Sequence, residues 1–431
     1  NDVETDSDNT PKKKLSFVGP ISSTSAPFQY AMSSEGRYNA PSQKESYITY
    51  YSGWPTNLKV EYDPNAVNPN TNEQGMSVLT DFPSLGDLQN GIAGISDYTY
   101  LTADQIAEAQ GAAKIYKDSG STAGMTENQI DAINGALNLE IPEGVELIAP
   151  GLIKAKENEN VTFAAGNANM PIDMTVTAFS LAAVKSGEAT SRDKNGIATF
   201  KDGTGTFAGC EHLKGVTLNA DSSNSPVIIE DYAFEGCKNL ADVSMADVAS
   251  LGKAPFFGCE KLSFVNFQNS PKYTCDAEKS IIYGLDESGN ANTIIECLPG
   301  RASNLKEVTA TELGSGITAI APEAFRGSHV RSVDLSSTNV TAIPEGAFAN
   351  TDNLQTVTFP ETLTIIGNYA FAGSAVDSFY VKGKNTGCSP FAFYGENESK
   401  DSTNRYGVAG LTQKAGDVRW YYVKDGVTSQ A

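Results

Sequence analysis

The chain has 431 residues, 40% of them apolar and 19% charged, with 39 glycines and 19 prolines: the composition of a folded, turn-rich protein. Its formal charge of −21 would repel a nucleic-acid duplex or an anionic lipid surface, so neither is expected as a partner. No run approaches the roughly 18 apolar residues that a membrane helix needs, so no transmembrane segment is expected.

Residues 1–14 are polar, with Asp2, Glu4, Asp6 and Asp8 ahead of Lys12, Lys13 and Lys14, and read as a disordered tether. A polar leader starting at Asn1 fits removal of a secretory or lipoprotein signal, with a lipid anchor upstream of residue 1. A simply shortened chain fits equally well.

Residues 15–140 read as an α+β capping region or second module. Ser46–Tyr51 and Asn57–Tyr62 are β-prone runs around Gly53, Trp54 and Pro55, which suggests a hairpin. Tyr47, Tyr50, Tyr51, Trp54 and Tyr62 could form a stacking surface for sugar or peptide, or an aromatic cap on a neighbouring element. Asp63–Gly75 is rich in Asn but lacks Ca²⁺-loop spacing, and reads as a turn-rich loop. Residues 102–138 look helical. Thr102 with Gln105 and Thr126 with Gln129 are capping-box patterns. Ile106, Ala109, Ala113 and Tyr116 line one face of the first helix, and Ile130, Ile133 and Leu137 one face of the second.

Beyond residue 141 a repeat takes over. Ile141 to Val145 resembles the approach to a repeat unit, with Val161 and Phe163 as its strand, and Met174–Leu181 is a further expected strand. From Thr206 the pattern is firm: Phe207, Phe234, Phe256, Phe325, Phe348, Phe371 and Phe393 stand 27, 22, 69, 23, 23 and 22 positions apart. The long step is three times 23. An isoleucine precedes the phenylalanine (Ile320, Ile343, Ile366), a small residue stands directly before it, and glycine follows two positions later (Gly209, Gly236, Gly258, Gly327, Gly373, Gly395). An apolar triplet ends each unit, as in Leu354-x-x-Val357-x-Phe359. A fixed period in the twenties with this triplet marks a leucine-rich-repeat solenoid, mainly β with short helical turns. Tyr273–Gly300 reads as a hairpin inserted at about 270–300, and Val418–Val423 as a strand in a C-terminal cap over residues 396–431.

The run Ile229-Glu-Asp-Tyr-Ala-Phe-Glu-Gly-Cys-Lys-Asn-Leu-Ala-Asp-Val-Ser-Met245 resembles the BspA-type leucine-rich repeat of bacterial surface proteins. The resemblance covers about residues 200–395 and includes the inserted hairpin. It implies an exported, secreted or cell-surface protein, outer membrane-anchored or extracellular, with a role in adhesion. It transfers no catalytic residues.

Chemical candidates are few. Cys210, Cys237 and Cys259 share a column that Ser328, Thr351 and Ser374 occupy later, which suits free thiols in a tight turn. Cys275 and Cys297 flank the hairpin and are the best-placed pair for a disulfide. His212 and His329, the two histidines, fall in turns expected to be solvated. No catalytic, metal-binding or cofactor motif is recognisable, so no cofactor, metal site or enzymatic activity is expected. The remaining candidate is the outward column of the strands, which on a solenoid is a partner-binding face. Its candidate ligand-binding residues are Asp242, Ser244, Phe264, Asn266, Glu307, Asp334, Thr358 and Tyr380. A monomer that binds a protein or glycan there is the leading expectation. A carbohydrate-active enzyme or accessory with its site in residues 15–140, and a structural spacer, are the alternatives.

Overall fold

A computed structural model of the chain describes residues 28–32, 46–50, 59–67, 74–82, 84–90, 103–141, 147–149, 151–163, 189–192, 198–200, 207–218, 227–229, 231–246, 248–268, 270–302, 304–383, 386–393, 418–424 and 427–430. The expected tether 1–14, the turn at Gly53–Pro55, the strand 174–181 and Gly395 lie outside the described residues, as do the side chains of Tyr47, Tyr50, Tyr51, Trp54 and Tyr62. The chain divides into two compact units, Asn1–Ile229 and Glu230–Ala431.

In the first unit, β1 (Phe28–Met32) pairs antiparallel with β2 (Ser46–Tyr50), and β3 (Lys59–Val67) with β4 (Gln74–Asp81). The hairpin expected between 46–51 and 57–62 is therefore replaced by two others. Strand propensity marks where the backbone extends, not which strand it meets. Asp63–Gly75, expected as a loop, is strand at both ends, with Asp63 opposite Met76 and Val67 opposite Gln74.

Three helices follow: α1 (Leu85–Gln89), α2 (Ala103–Ser119) and α3 (Glu127–Leu137). The last two are the expected pair, and the Thr126–Gln129 capping box is formed. Thr102 lies outside the described residues. α1 falls in a stretch expected to be irregular. Its own capping box holds it: Ser84 Oγ accepts from the Asp87 N–H (3.1 Å) and Asp87 accepts from the Ser84 N–H (2.7 Å). Leu85, Leu88, Ala109, Ala112, Ala113, Ala132, Ile133, Ala136 and Leu137 form one buried cluster among the three helices. Its five alanines allow the helices to approach closely.

α3 runs straight into β5 (Asn138–Ile141). Next come β6 (Leu147–Ile148), parallel to β4, then α4 (Leu152–Lys156), β7 (Asn160–Phe163), the β8 (Ala189–Arg192) and β9 (Ala198–Phe200) hairpin, β10 (Gly215–Leu218) and β11 (Val227–Ile229). β5, β7 and β10 stack in parallel, aligning the buried Leu139, Val161 and Val216 in one row and Ile141, Phe163 and Leu218 in the next.

In the second unit β12 (Asp242–Ala246) leads through β13 (Val248–Leu251) to β14 (Val265–Gln268), which pairs parallel with β12. β15 (Tyr273–Asp276), β16 (Ile281–Leu285) and β17 (Ala291–Cys297) form an antiparallel meander. The expected two-stranded hairpin thus has a third strand, because the chain turns once more at Ser280, whose φ is 53°. β18 (Glu307–Val308), the one-turn helix α5 (Ala310–Leu313) and β19 (Ala319–Ile320) come next, and β17 pairs parallel with β19. The regular turns then run through β20 (Ser332–Asp334), β21 (Ala342–Ile343), β22 (Thr356–Thr358), β23 (Ile365–Ile366), β24 (Ser378–Val381), β25 (Gly387–Cys388), β26 (Arg419–Lys424) and β27 (Val427–Gln430). β18, β20, β22, β24 and β26 make one parallel ladder, closed by antiparallel β27. β21, β23 and β25 make a second. This is a β-solenoid.

The phenylalanines form a stack within it. Phe325 to Phe348 is 4.8 Å, Phe348 to Phe371 5.1 Å and Phe371 to Phe393 5.7 Å between ring centroids, with interplanar angles of 12°, 4° and 22°. The small residue before each ring has a backbone cause. The Phe325, Phe348 and Phe371 N–H groups donate to the carbonyls of Ala347, Ala370 and Ala392 on the next turn, at 2.7–2.8 Å. Those alanines are fully buried, with no room for a larger side chain. Gly327, with φ 64°, shows the same crowding: a Cβ there would lie 2.6 Å from the Phe257 ring. Asn350 (φ 55°) takes the glycine's place one turn on, since Asn adopts left-handed backbone more readily than other side chains. A second left-handed column, two residues before the phenylalanine, holds Tyr232, Ala254, Glu323, Gly346 and Tyr369.

Where the meander replaces regular turns, two buried ionisable side chains supply the missing backbone partners. In the regular turns the phenylalanine N–H finds a carbonyl. The Phe256 N–H instead donates to Glu296 Oε2 at 3.4 Å. Arg301, 6% exposed, donates Nε to the Leu305 carbonyl (2.8 Å), Nη2 to the Glu307 carbonyl and Glu312 Oε1 (both 2.9 Å), and Nη1 to the Lys279 carbonyl. Gly300 sits on the backbone of Leu262, where a Cβ would come within 2.5 Å.

Candidate ligand-binding face

Alternation along each strand sends one set of residues into the core and leaves two rows outside. On the ladder from β18 to β26, Val333, Val357 and Phe379 are buried. Asp334, Thr358, Tyr380 and Tyr421 form one outer row by register, and Glu307, Ser332, Thr356 and Arg419 the other, with Ser378 buried between Thr356 and Arg419. Four of the expected residues, Glu307, Asp334, Thr358 and Tyr380, therefore share this face. Tyr380 and Tyr421 are half-buried and stack at 5.1 Å with an interplanar angle of 17°. The edge of the platform is fixed by Arg419 Nη2 on Asp377 Oδ2 at 2.7 Å. Below it, Trp420 meets Phe379 edge-on at 4.9 Å.

The other four belong to a different sheet. Ser244 lies opposite Asn266 across β12 and β14, and Asp242 and Phe264 precede the paired Val243 and Val265. Asn266 Nδ2 and Gln268 Nε2 both reach Ser244 Oγ, at 3.4 and 2.8 Å, so this patch is knitted to itself. Phe264 is 39% exposed. The column expected to be continuous is thus interrupted, because β14 ends one sheet and β18 begins another. Tyr421 and Arg419 were not among the expected face residues. The alternation through Arg419–Tyr422 was the signal for them, once β26 is counted as one more rung.

A cleft of about 230 Å³ opens at the beginning of the same ladder, lined by Arg301, Ala302, Leu305, Lys306, His329, Arg331 and Asn353. Lys306 and Arg331 occupy equivalent places on successive turns, and the Arg331 N–H donates to the Lys306 carbonyl at 2.6 Å. Both side chains are exposed, and among the described residues neither enters an ion pair.

Other titratable groups have structural duties. Glu296 is 2% exposed, and burial raises its pKa to about 8 against the pull of the Phe256 N–H, with Glu323 pushing the same way as burial. Glu323 accepts from the Tyr232 hydroxyl (2.5 Å) and pairs with Arg326 Nη1 (2.8 Å), whose guanidinium lies 4.0 Å over the Phe257 ring. All three are enclosed in the core and tie neighbouring turns together. In the first unit Asp81 and Asp87 converge on Lys156 Nζ at 2.6 and 3.0 Å. Burial pushes the Asp87 carboxyl up, but the Ser84 N–H, the Ser84 hydroxyl and Lys156 outweigh it and hold it below the usual value. That pair suits an ion bridge, not general-acid chemistry.

The six cysteines are free. Cys275 lies opposite Ile282 and Cys297 opposite Ile281, consecutive residues of β16 that face opposite sides of the meander, so these two thiols point apart. Burial raises them to about 11 and about 12. Cys259 Sγ lies 3.1 Å from the Phe234 carbonyl, and Thr351 Oγ1, in the same column, donates to the Phe348 carbonyl at 2.7 Å. The column thus serves the phenylalanine carbonyls, Thr351 within its own turn and Cys259 on the preceding one. His212 and His329 are both exposed. Among the described residues no helix is long and apolar enough to cross a membrane.

Comparison with known proteins bears on the repeats. A model of the BspA-type leucine-rich-repeat region matches residues 200–277 and 297–400 in six copies. None of the curated proteins matches the chain. Among solved structures, the chain is similar to the pneumococcal vaccine antigen PcpA, at 13% identity over 67% of this chain and 75% of that one, with a TM-score of 0.35. It is also similar to a leucine-rich cell surface protein from Faecalibacterium prausnitzii (17% identity, 58% and 79% covered, TM-score 0.31). A leucine-rich-repeat protein from Eubacterium ventriosum aligns at 14% identity, with 60% and 63% covered and a TM-score of 0.37. The stacked phenylalanines, the two parallel ladders and the six matched copies agree on a leucine-rich-repeat solenoid that is similar, over residues 200–277 and 297–400, to the BspA-type leucine-rich-repeat region.

Proposed function

We propose that this is a non-enzymatic, exported bacterial protein that binds a protein or glycan through the outer strand face of its second unit. The observation that carries the reading is the stacked, half-exposed pair Tyr380 and Tyr421, in a row with Thr358 and Asp334. Two parallel rings with hydroxyls at their tips offer a flat apolar surface with polar edges, which suits the face of a sugar ring or an aromatic peptide side chain. The polar row beside them, from Ser332 to Arg419, supplies hydrogen-bond donors and acceptors for orientation. Display at the cell surface or in the medium follows from the resemblance of the repeats to those of bacterial surface proteins.

The test is a glycan and extracellular-matrix array probed with the full chain, followed by titration of the best ligand. Tyr380→Ala is expected to weaken binding about tenfold or more with an unchanged melting curve, because Tyr380 points out of the core. Phe264→Ala asks the same of the separate β12–β14 patch. Full binding by Tyr380→Ala would remove the strand-face reading.

A further inference from the structure

The cleft at the beginning of the β18–β20–β22 ladder points to a second binding site, and we propose that it holds an acidic sugar, one carrying a carboxylate or sulfate group. The inference shares with the preceding reading only the idea that this protein binds glycans; the cleft is formed by other residues than the Tyr380 row.

The charge arrangement runs against the rest of the molecule. The chain carries 52 acidic residues against 31 lysines and arginines, yet three cationic side chains, Arg301, Lys306 and Arg331, converge on one cleft with His329 beside them. Arg301 is committed: its guanidinium bonds to three backbone carbonyls and to Glu312, so it is held rigidly and adds a partly compensated charge to the lining. Lys306 and Arg331 are different. They project from equivalent positions of adjacent turns and are exposed. No other pair of exposed cations is so aligned by the main-chain bonds of the described residues. Like charges held side by side repel one another, and a bound anion relieves that repulsion while accepting their hydrogen bonds.

Size and lining select the carrier of that anion. A volume of about 230 Å³ accommodates one small unit and excludes a length of folded peptide. Leu305 and Ala302 add apolar lining for a ring face. Asn353 and His329 complete the lining, where an amide and an imidazole can meet ring hydroxyls as donor or acceptor. A bare inorganic anion would use the cations and leave the apolar lining and the amide without a role.

The experiment is calorimetric titration of the full chain with N-acetylglucosamine 6-sulfate, glucuronic acid and N-acetylneuraminic acid, with neutral N-acetylglucosamine, inorganic sulfate and hexaglutamate as comparators. At least one acidic sugar is expected to bind about tenfold or more tighter than any of the three comparators. The sulfate-bearing and carboxylate-bearing sugars separate the two acid groups. Lys306→Ala/Arg331→Ala is expected to lose about tenfold or more with an unchanged melting curve. Asn353→Ala keeps every charge and is expected to weaken the sugar while leaving the inorganic anion unaffected. Equal affinity for neutral and acidic sugars, no binding of any acidic sugar, binding no better than that of inorganic sulfate, tighter binding of hexaglutamate, or full retention in the double variant would each overturn the proposal. Tyr380→Ala separates the two sites: acidic-sugar affinity is expected to survive in it. Should the strand-face reading fail on the array, that affinity still decides the cleft.

Discussion

The regular turns from β20 to β25 and the junction around the meander solve one problem in opposite ways. In the regular turns each backbone N–H at the phenylalanine finds the carbonyl of the next turn, and the ring finds another ring. At the junction that partner is missing, so the ionisable side chains of Glu296 and Arg301 reach in to meet Phe256, Lys279, Leu305 and Glu307. Repetition satisfies polar groups without burying charge. Interruption brings ionisable groups into the core, Arg301 as a hydrogen-bonded cation and Glu296 as a carboxyl that burial keeps protonated up to about pH 8, each with a desolvation cost that hydrogen bonding must offset.

The widest gap between the two regions should appear on deleting a stacked ring. Phe348 is fully buried between Phe325 and Phe371, so Phe348→Ala is expected to cost about 4 kcal/mol and to lower the melting temperature in thermal denaturation. An unchanged curve would mean that the stack is not what holds the turns. Next comes Arg301→Met, which fills the same space but strips three carbonyls and Glu312 of their donor. A loss of about 3 kcal/mol is expected, with amide exchange accelerating first around residues 279 and 307. If exchange quickens instead in the regular turns, the junction is not an independent weak point.

The last prediction is a dependence on pH. The Glu296 pKa is raised from 4.5 to about 8, so between those values the folded chain holds a proton that the unfolded chain has lost. Its contribution is complete below pH 4.5 and is lost as the pH climbs through 8. The melting temperature is therefore expected to fall between pH 5 and pH 8. Glu296→Gln, which keeps an acceptor for the Phe256 N–H, should flatten that slope. A slope of equal size in the variant would assign it to other groups.

What could be read from the residues alone follows the same division. The phenylalanine column and the valine of each triplet were legible because one packing role recurs with one residue type at a nearly constant spacing. Glu296 and Arg301 were not, because their role is to complete something missing, and a missing partner leaves no pattern. The left-handed column of Tyr232, Ala254, Glu323, Gly346 and Tyr369 was hidden for a related reason. The main chain imposes the conformation there, and four residue types comply. The pairing of β2 and β3 with other strands was equally beyond reach, since propensity carries no partner information. In the candidate face, Asp334, Thr358 and Tyr380 were found by alternation and do align. The spread to Asp242 and Asn266 assumed unbroken rungs that the meander interrupts. The cleft could have been found by aligning Leu305-Lys306 with Val330-Arg331, a comparison of residues one place away from the outward column.

The alanine carbonyl offered to each neighbouring turn has a consequence for how such a chain can change through time. Because every regular junction presents the same donor and acceptor at the same height, a whole turn can be duplicated or deleted, and the flanks will rejoin without altering a side chain. Reach is thus open to adjustment in steps of one turn, whereas the meander, whose two borders are individually fitted, is a piece that can be inherited only intact.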